Sequence, residues 1–194
     1  MNQELAQLID QLNRVSQEAI DSFRALSVEQ LNWKPSANEW SVAQCFEHLI
    51  VSNAGFLPLI DKVARGEHKP SLKERVPVLP RFFGTMVLKA VQPQGQRKYK
   101  AGRGFQPSTS SISSDIITRF KTQQSELAER MRSTENLNLR NIIVTSPVAS
   151  FVTYSLLDAY RIVVAHEQRH LAQAKRVTAR NGFPTNSNSF TQNA

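Results

Sequence analysis

Apolar residues recur at three- and four-residue spacings in four long stretches of the chain, with polar residues between them. This period is typical of amphipathic helices, which bury one face and expose the other. The four stretches are residues 3–26, 41–65, 111–135 and 155–180. The pattern therefore predicts four long helices, and alternation typical of strands is not evident between them.

Two of the predicted helices begin with polar residues that suit a helix start. Ser41 is followed three residues later by Gln44, and Ser155 is followed three residues later by Asp158. Such pairs satisfy backbone N–H groups that the first helical turn leaves free. The fourth helix is expected to stop at Gly182, because glycine commonly follows a helix end.

The segments between the helices contain the helix-breaking residues. Prolines and glycines interrupt residues 67–111, a long irregular connection in which only 81–91 predicts a short apolar helix. Residues 142–154 have some β-branched character, but Pro147 interrupts them, so a loop is expected there. The fold class expected is all-α, a four-helix bundle.

Composition agrees with a single domain. A chain of 194 residues with 40% hydrophobic residues can bury one sizeable core. The bundle domain is expected to occupy residues 1–182, and the polar tail 183–194 is expected to be disordered. No apolar stretch approaches the roughly 20 residues that span a bilayer, and no signal peptide is evident. With Cys45 as the single cysteine, these features favour an unexported, cytoplasmic protein.

The positive charge is concentrated in one segment. Residues 61–104 contain eleven Lys or Arg against three acids, which accounts for the whole formal excess of +8. Such a segment is most often a solvated surface, although it can attract an anionic partner. Tyr99 and Phe105 are the only aromatic residues near its densest cluster, residues 97–103, so binding of nucleic acid is not favoured.

Three of the four histidines fall on predicted helices. His166 and His170 are four residues apart and project from one helical face, where they can hold one ion. His48 lies in an apolar run of the second helix, and a buried imidazole needs a hydrogen-bond partner or a metal ion. These three are the candidate metal ligands, whereas His68, in the broken connection, is expected to be an ordinary surface residue.

Residues 166–170 also match the H-E-x-x-H motif, which in zinc peptidases supplies two ligands and a general base. Such peptidases usually take a third ligand from downstream, and no His, Asp, Glu or Cys follows His170. A third ligand must then come from upstream, and His48 is the best-placed candidate. A peptidase is a minor alternative, in which Glu167 would be the base; a solvated helix residue is the favoured interpretation of Glu167.

Two short motifs resemble the DinB/YfiT-like superfamily: WSVAQCFEHL at residues 40–49 and HEQRHLAQ at residues 166–173. The resemblance implies a four-helix bundle, commonly dimeric, in which one His of the second helix and an H-x-x-x-H pair of the fourth bind a divalent ion such as Zn or Ni. Histidine ligands do not separate these from Fe. The basic connection departs from the family pattern.

The resemblance also implies a function. Characterised relatives are metal-dependent thiol S-transferases, which use a low-molecular-weight thiol, or isomerases, and others are described as metal-dependent hydrolases. We therefore expect a metal-dependent transferase or hydrolase acting on a small molecule, as a homodimer. The alternative is a non-catalytic ligand-binding or stress-related bundle whose basic surface binds an anionic partner.

Three polar residues lie close to the predicted ligands in sequence. Gln44 and Gln173 fall on the ligand-bearing faces and are candidates to orient the histidines, although ordinary polar helix positions are an equal interpretation. Cys45 is expected to be a small core residue and not a nucleophile, because nothing near it in the sequence indicates a depressed pKa.

Overall fold

The computed structural model describes residues 3–76, 79–92 and 103–185. Within them the chain forms seven α-helices, one short 3-10 helix and a two-stranded antiparallel sheet. The helices are α1 (Gln3–Phe23), α2 (Val28–Asn32), α3 (Val42–Ala54), α4 (Phe56–Ala64), α5 (Leu79–Val91), α6 (Ile116–Arg132) and α7 (Leu156–Thr178). The 3-10 helix is Arg103–Phe105, and the strands are β1 (Ile143–Ser146) and β2 (Ala149–Ser155). None of the described helices is both long and apolar enough to cross a lipid bilayer.

Four of the helices form the predicted bundle. Helix α1 packs against α6 and α7, and α3 packs against the same two helices. The predicted all-α class and the four-helix bundle are therefore confirmed. Both predicted helix starts are also present: Ser41 Oγ accepts the N–H of Gln44 at 3.1 Å, and Ser155 Oγ accepts the N–H of Asp158 at 3.0 Å.

The bundle core consists of two apolar clusters with polar side chains between them. On α6, Phe120 belongs to one cluster and Leu127 to the other, and the buried Gln124 lies between them. Glu167 has the corresponding position on α7 and Asn53 on α3, and both are buried. These three residues form a polar layer across the middle of the bundle.

The second predicted helix is divided at Gly55, so its continuity to residue 65 was a wrong prediction. Helix α3 ends at Ala54 and α4 begins at Phe56. A Cβ atom added to Gly55 would lie 2.7 Å from Cβ of Pro147, so only glycine allows the backbone to approach the hairpin this closely.

The loop predicted for residues 142–154 is instead a β-hairpin, so that prediction was wrong. Ile143 pairs with Ser155 and Val144 with Tyr154 in antiparallel register. Pro147 lies in the turn between the strands, where its missing N–H costs no ladder hydrogen bond. The β-branched residues on either side therefore remain free to pair.

The long connection contains the expected short helix, which is α5 and packs against β2 and α7. Much of the densest basic cluster, residues 97–103, lies outside the described residues, as do residues 186–194 of the predicted disordered tail. The start of that tail is packed: Gln30 Nε2 donates to the carbonyl oxygen of Pro184 at 2.7 Å, and the Phe183 ring contacts Trp33 edge-on.

Candidate metal centre

The structure brings the three candidate ligands together from two helices. His166 and His170 lie one turn apart on α7, and His48 comes from α3, which packs against α7. One ring nitrogen from each histidine lies within 4.8 Å of the other two. His48 and His170 are buried, whereas His166 keeps a partly exposed side chain.

A backbone carbonyl sets the orientation of His48. Its Nδ1 atom lies 2.6 Å from the carbonyl oxygen of Phe105, which can only accept, so Nδ1 carries the proton. The lone pair of His48 then resides on Nε2, which lies 3.1 Å from Nε2 of His166. The hydrogen bond therefore directs a ligating nitrogen into the cluster, as metal-binding histidines commonly require.

Trp40 packs against two of the three imidazole rings. Its ring stacks on that of His170 with a centroid distance of 5.6 Å and an interplanar angle of 18°, and it contacts His48 at 4.9 Å. The Gln173 side chain lies close enough to raise the pKa of His170, against the larger lowering by burial. No described group, however, forms a hydrogen bond with the buried Nδ1 atom of His170. The His170 side chain therefore has a buried polar atom without a hydrogen-bond partner among the described residues.

All three imidazoles are held neutral. Burial lowers the pKa of His48, although the Phe105 carbonyl opposes the shift. Packing of its ring within the cluster, repulsion from His48 when that ring is protonated, and the positive charge of Arg169 lower the pKa of His166 to about 3. Burial also places the pKa of His170 well below its ordinary value. Neutral imidazole is the form that ligates a metal, so the donors are available near neutral pH.

These residues fit a divalent metal ion. Nitrogens that each lie about 2.0–2.1 Å from a tetrahedral zinc are roughly 3.3 Å apart, which is close to the observed separation between His48 and His166. A metal ion would also supply a partner for the His170 ring, whose buried Nδ1 has no hydrogen bond within the described residues. Three neutral imidazole nitrogens, one of them on a ring with an unsatisfied buried nitrogen, are a suitable ligand set for a metal ion.

Glu167 is not solvated, so the favoured interpretation of this residue was wrong. Its side chain is 0% exposed, and Oε1 accepts a hydrogen bond from Asn53 Nδ2 at 2.7 Å. Burial raises the pKa of Glu167 to about 8, and the hydrogen bond from Asn53 opposes this shift. Gln124 lies in the same layer, but no described group forms a hydrogen bond with its side-chain amide. Glu167 is thus a member of the polar layer.

The other predicted residues have structural partners. Gln44 completes the cap of α3, and its Nε2 donates to the carbonyl of Ser108 at 2.9 Å, so it does not orient His48 directly. Cys45 is buried, and burial raises the pKa of its thiol to about 12, in agreement with a core residue. His68 is not an ordinary surface residue: its side chain is 15% exposed and contacts the Ile143 carbonyl at 2.9 Å.

Several residues around the cluster were missed from the sequence. Glu47 accepts hydrogen bonds from Ser108 N at 2.6 Å and from its hydroxyl at 3.2 Å, which holds the segment after Phe105 against α3. Arg169 adds positive charge beside His166 and His170, and its guanidinium donates to the carbonyl of Gln92 at 3.0 Å. Trp40, which contacts two of the histidines, was also missed as part of the site. Its position directly before the predicted helix start at Ser41 was the one sequence signal that could have indicated this role.

Comparison with known proteins identifies a family and a relative. The family model described as the DinB superfamily matches residues 4–174, which include all three histidines. The uncharacterized protein YuaE of Bacillus subtilis (strain 168) is 26% identical over 167 residues, which cover 85% of this chain and 93% of that relative. No solved structure gives a significant match.

Proposed function

The chain belongs to the DinB superfamily, and from that premise we propose that it binds one divalent metal ion through His48, His166 and His170. The convergence of one nitrogen from each within 4.8 Å is the observation that carries the proposal. Zn, Ni and Fe are all compatible with three imidazole ligands. The expected activity is that of a transferase using a low-molecular-weight thiol, or of a hydrolase, on a small molecule.

A metal ion with three protein ligands keeps an open position, where it supplies Lewis acidity to a bound thiol, water or substrate. The chain's own residues prepare that position. The Phe105 carbonyl keeps the proton of His48 on Nδ1, and Trp40 limits the access of water along one side of the cluster. Arg169 provides a positive flank that favours a substrate or thiol in its anionic form.

The peptidase alternative has little support. In the H-E-x-x-H motif the glutamate serves as a general base for metal-bound water. Here Glu167 is buried in the polar layer with Asn53 as its hydrogen-bond partner, and the third candidate ligand, His48, comes from upstream. The transferase or hydrolase of the DinB type remains the proposal.

Other expectations also remain proposals. A homodimer is expected from the family resemblance, although α1 buries its apolar residues Leu5, Leu8 and Leu12 within one chain. A cytoplasmic location is expected from the single cysteine. The bundle domain is proposed to occupy residues 1–182, as expected from the helix end before Gly182, and residues 183 and 184 also contact α2 and the residue after it.

The function is tested with protein stripped by a chelator and reloaded with Zn²⁺, Ni²⁺ or Fe²⁺. Conjugation of a small thiol to an electrophile and hydrolysis of a small ester or amide are measured for each form. We expect at least one activity to depend on reloading and to be lost in His166→Ala but retained in His68→Ala. Equal turnover by stripped and reloaded protein would contradict a metal-dependent enzyme.

A further inference from the structure

One face of the molecule is formed by the hairpin, the segment before α5, and α5 itself. We call it the hairpin–α5 face and define it as residues 68–76, 79–92 and 143–155. Thr145 Oγ1 donates to Glu74 Oε1 at 2.7 Å, and the rings of Phe83 and Phe151 are 6.4 Å apart. These contacts, with the packing of α5 on β2, join the three segments into one surface.

This face has an unusual concentration of exposed apolar side chains. Phe82 is 61% exposed, Phe151 67% and Leu72 81%. The remaining large apolar side chains exposed on this face are Val76, Met86 and Val148. Elsewhere in the described chain, Val28 and Val51 are the large apolar residues with comparable exposure. Concentrated apolar exposure on one face marks an interaction surface.

The exposed charged side chains that the structure describes within this face have one sign, and the nearby carboxylate of Asp158, beside Gly84, is paired with Arg161 of α7. The exposed cations on the face are Lys69, Lys73, Arg75 and Lys89. Lys73 Nζ lies 3.2 Å from the carbonyl of Ser150, beside the exposed Phe151. Glu74 is the acid within residues 68–92, and it is buried and hydrogen-bonded. Residues 141–157 contain no charged side chain at all.

Helix α5 combines both properties along a single stripe. Phe82, Met86 and Lys89 follow at spacings of four and three residues, so they lie on the same side of the helix. All three are exposed. Apolar and aromatic side chains bordered by lysines are typical of helices that lie in the interface of a membrane.

We propose that the hairpin–α5 face docks peripherally on an anionic lipid surface. Phe82, Phe151 and Leu72 would enter the boundary between headgroups and acyl chains, and the lysines would contact anionic headgroups. A symmetric dimer through this face would bring like cations together, which disfavours a second copy as the occupant. Nucleic acid would leave the aliphatic side chains unmatched, because bases stack on rings.

The proposal is tested by cosedimentation of the full chain with vesicles of phosphatidylcholine, with and without phosphatidylglycerol, at low and high salt. We expect binding to the anionic vesicles that weakens as salt rises. Phe82→Ser with Phe151→Ser should abolish detectable binding. Lys73→Gln with Lys89→Gln should weaken it by about fivefold for each lysine.

Two double variants are the matched controls. Val28→Ser with Val51→Ser removes exposed apolar residues elsewhere in the described chain, and Lys34→Gln with Lys121→Gln removes exposed basic residues elsewhere. Both should bind anionic vesicles like the wild type, and thermal unfolding verifies that every variant folds. The salt dependence of the wild type tests the proposal without any substitution. The proposal is overturned if the wild type does not bind anionic vesicles at low salt, if the control variants lose binding equally, or if the chain binds DNA more tightly than vesicles. It is also overturned if the chain does not bind vesicles but forms a dimer that the phenylalanine substitutions dissociate.

Discussion

His48 Nδ1 lies 2.6 Å from the carbonyl oxygen of Phe105, so a ligand candidate on α3 is oriented by the segment that precedes α6. The same segment is attached to α3 by the hydrogen bonds between Glu47 and Ser108. The long connection therefore contributes directly to the geometry of the site.

Removing this attachment should weaken metal binding. Glu47→Ala deletes the acceptor for Ser108, so Phe105 loses the support that holds its carbonyl against His48. We expect the metal affinity to fall by about 10- to 100-fold, as is typical when the partners that orient a ligand are lost. Competition with a chromophoric chelator measures the affinity. Glu126→Ala, on an exposed part of α6, is the control and should leave it unchanged.

Trp40 should stabilise the folded protein through its two ring contacts. Trp40→Ala removes the stacking on His170 and the contact with His48, and aromatic contacts are worth about 0.5–1.5 kcal/mol each beyond their buried area. We expect urea unfolding to show at least that loss and the metal affinity to decrease as well. Trp33→Ala, whose ring contacts Phe183, should reduce stability without changing the affinity. An unchanged affinity in Trp40→Ala would show that its contacts do not position the ligands.

The buried carboxyl of Glu167 should make stability depend on pH. Its pKa in the folded chain is raised to about 8 from an ordinary value of 4.5, so the unfolded chain ionises first as pH rises. The contribution to stability is fully present below the unfolded pKa and is lost as pH increases through the folded pKa, by an amount on the order of a few kcal/mol.

Urea unfolding of metal-stripped protein between these two pKa values measures this dependence. Glu167→Gln keeps the side-chain shape without an ionisable group, and the histidines of the metal centre contribute equally to both proteins. The unfolding free energy of the wild type relative to that of Glu167→Gln should therefore fall as pH rises. Glu126→Gln should retain the wild-type dependence. Parallel pH profiles for wild type and Glu167→Gln would refute a buried carboxyl with a raised pKa.

The close approach of α3 and the hairpin gives a prediction about packing. Gly55→Ala places a Cβ atom 2.7 Å from Cβ of Pro147, and neither the proline ring nor the backbone can move away freely. We expect a loss of about 1–3 kcal/mol in the free energy of unfolding, as for other overpacked sites. At Gly104 an added Cβ meets nothing within 4 Å, so Gly104→Ala is the control and should be nearly neutral.

The periodic apolar pattern sufficed to predict the bundle, because each long helix buries one face. The hairpin was not predicted because Pro147 interrupts the β-branched residues in the sequence. In the fold this proline lies in the turn between the two strands. Side-chain hydrogen bonds such as that of His68 with the hairpin carbonyl depend on contacts between distant segments. Local spacing contains no information about them.

The histidine cluster followed from spacing and family motif, but its surroundings did not. Gln124 lies four residues after Phe120 and three before Leu127, on the buried face of α6, and this polar residue in an apolar period was a signal of the polar layer. Glu167 gave no such signal by itself, because the residues before and after it in the motif are also polar.

Calorimetric titration of metal-stripped protein with Zn²⁺ measures binding at the proposed three-histidine site directly, because it reports stoichiometry and affinity without assuming an activity. We expect one equivalent to bind to the wild type and to His68→Ala, and this binding to be lost in His48→Ala, His166→Ala and His170→Ala alike. Undiminished binding of one equivalent by His48→Ala, with loss in the two α7 variants, would contradict a site shared between α3 and α7.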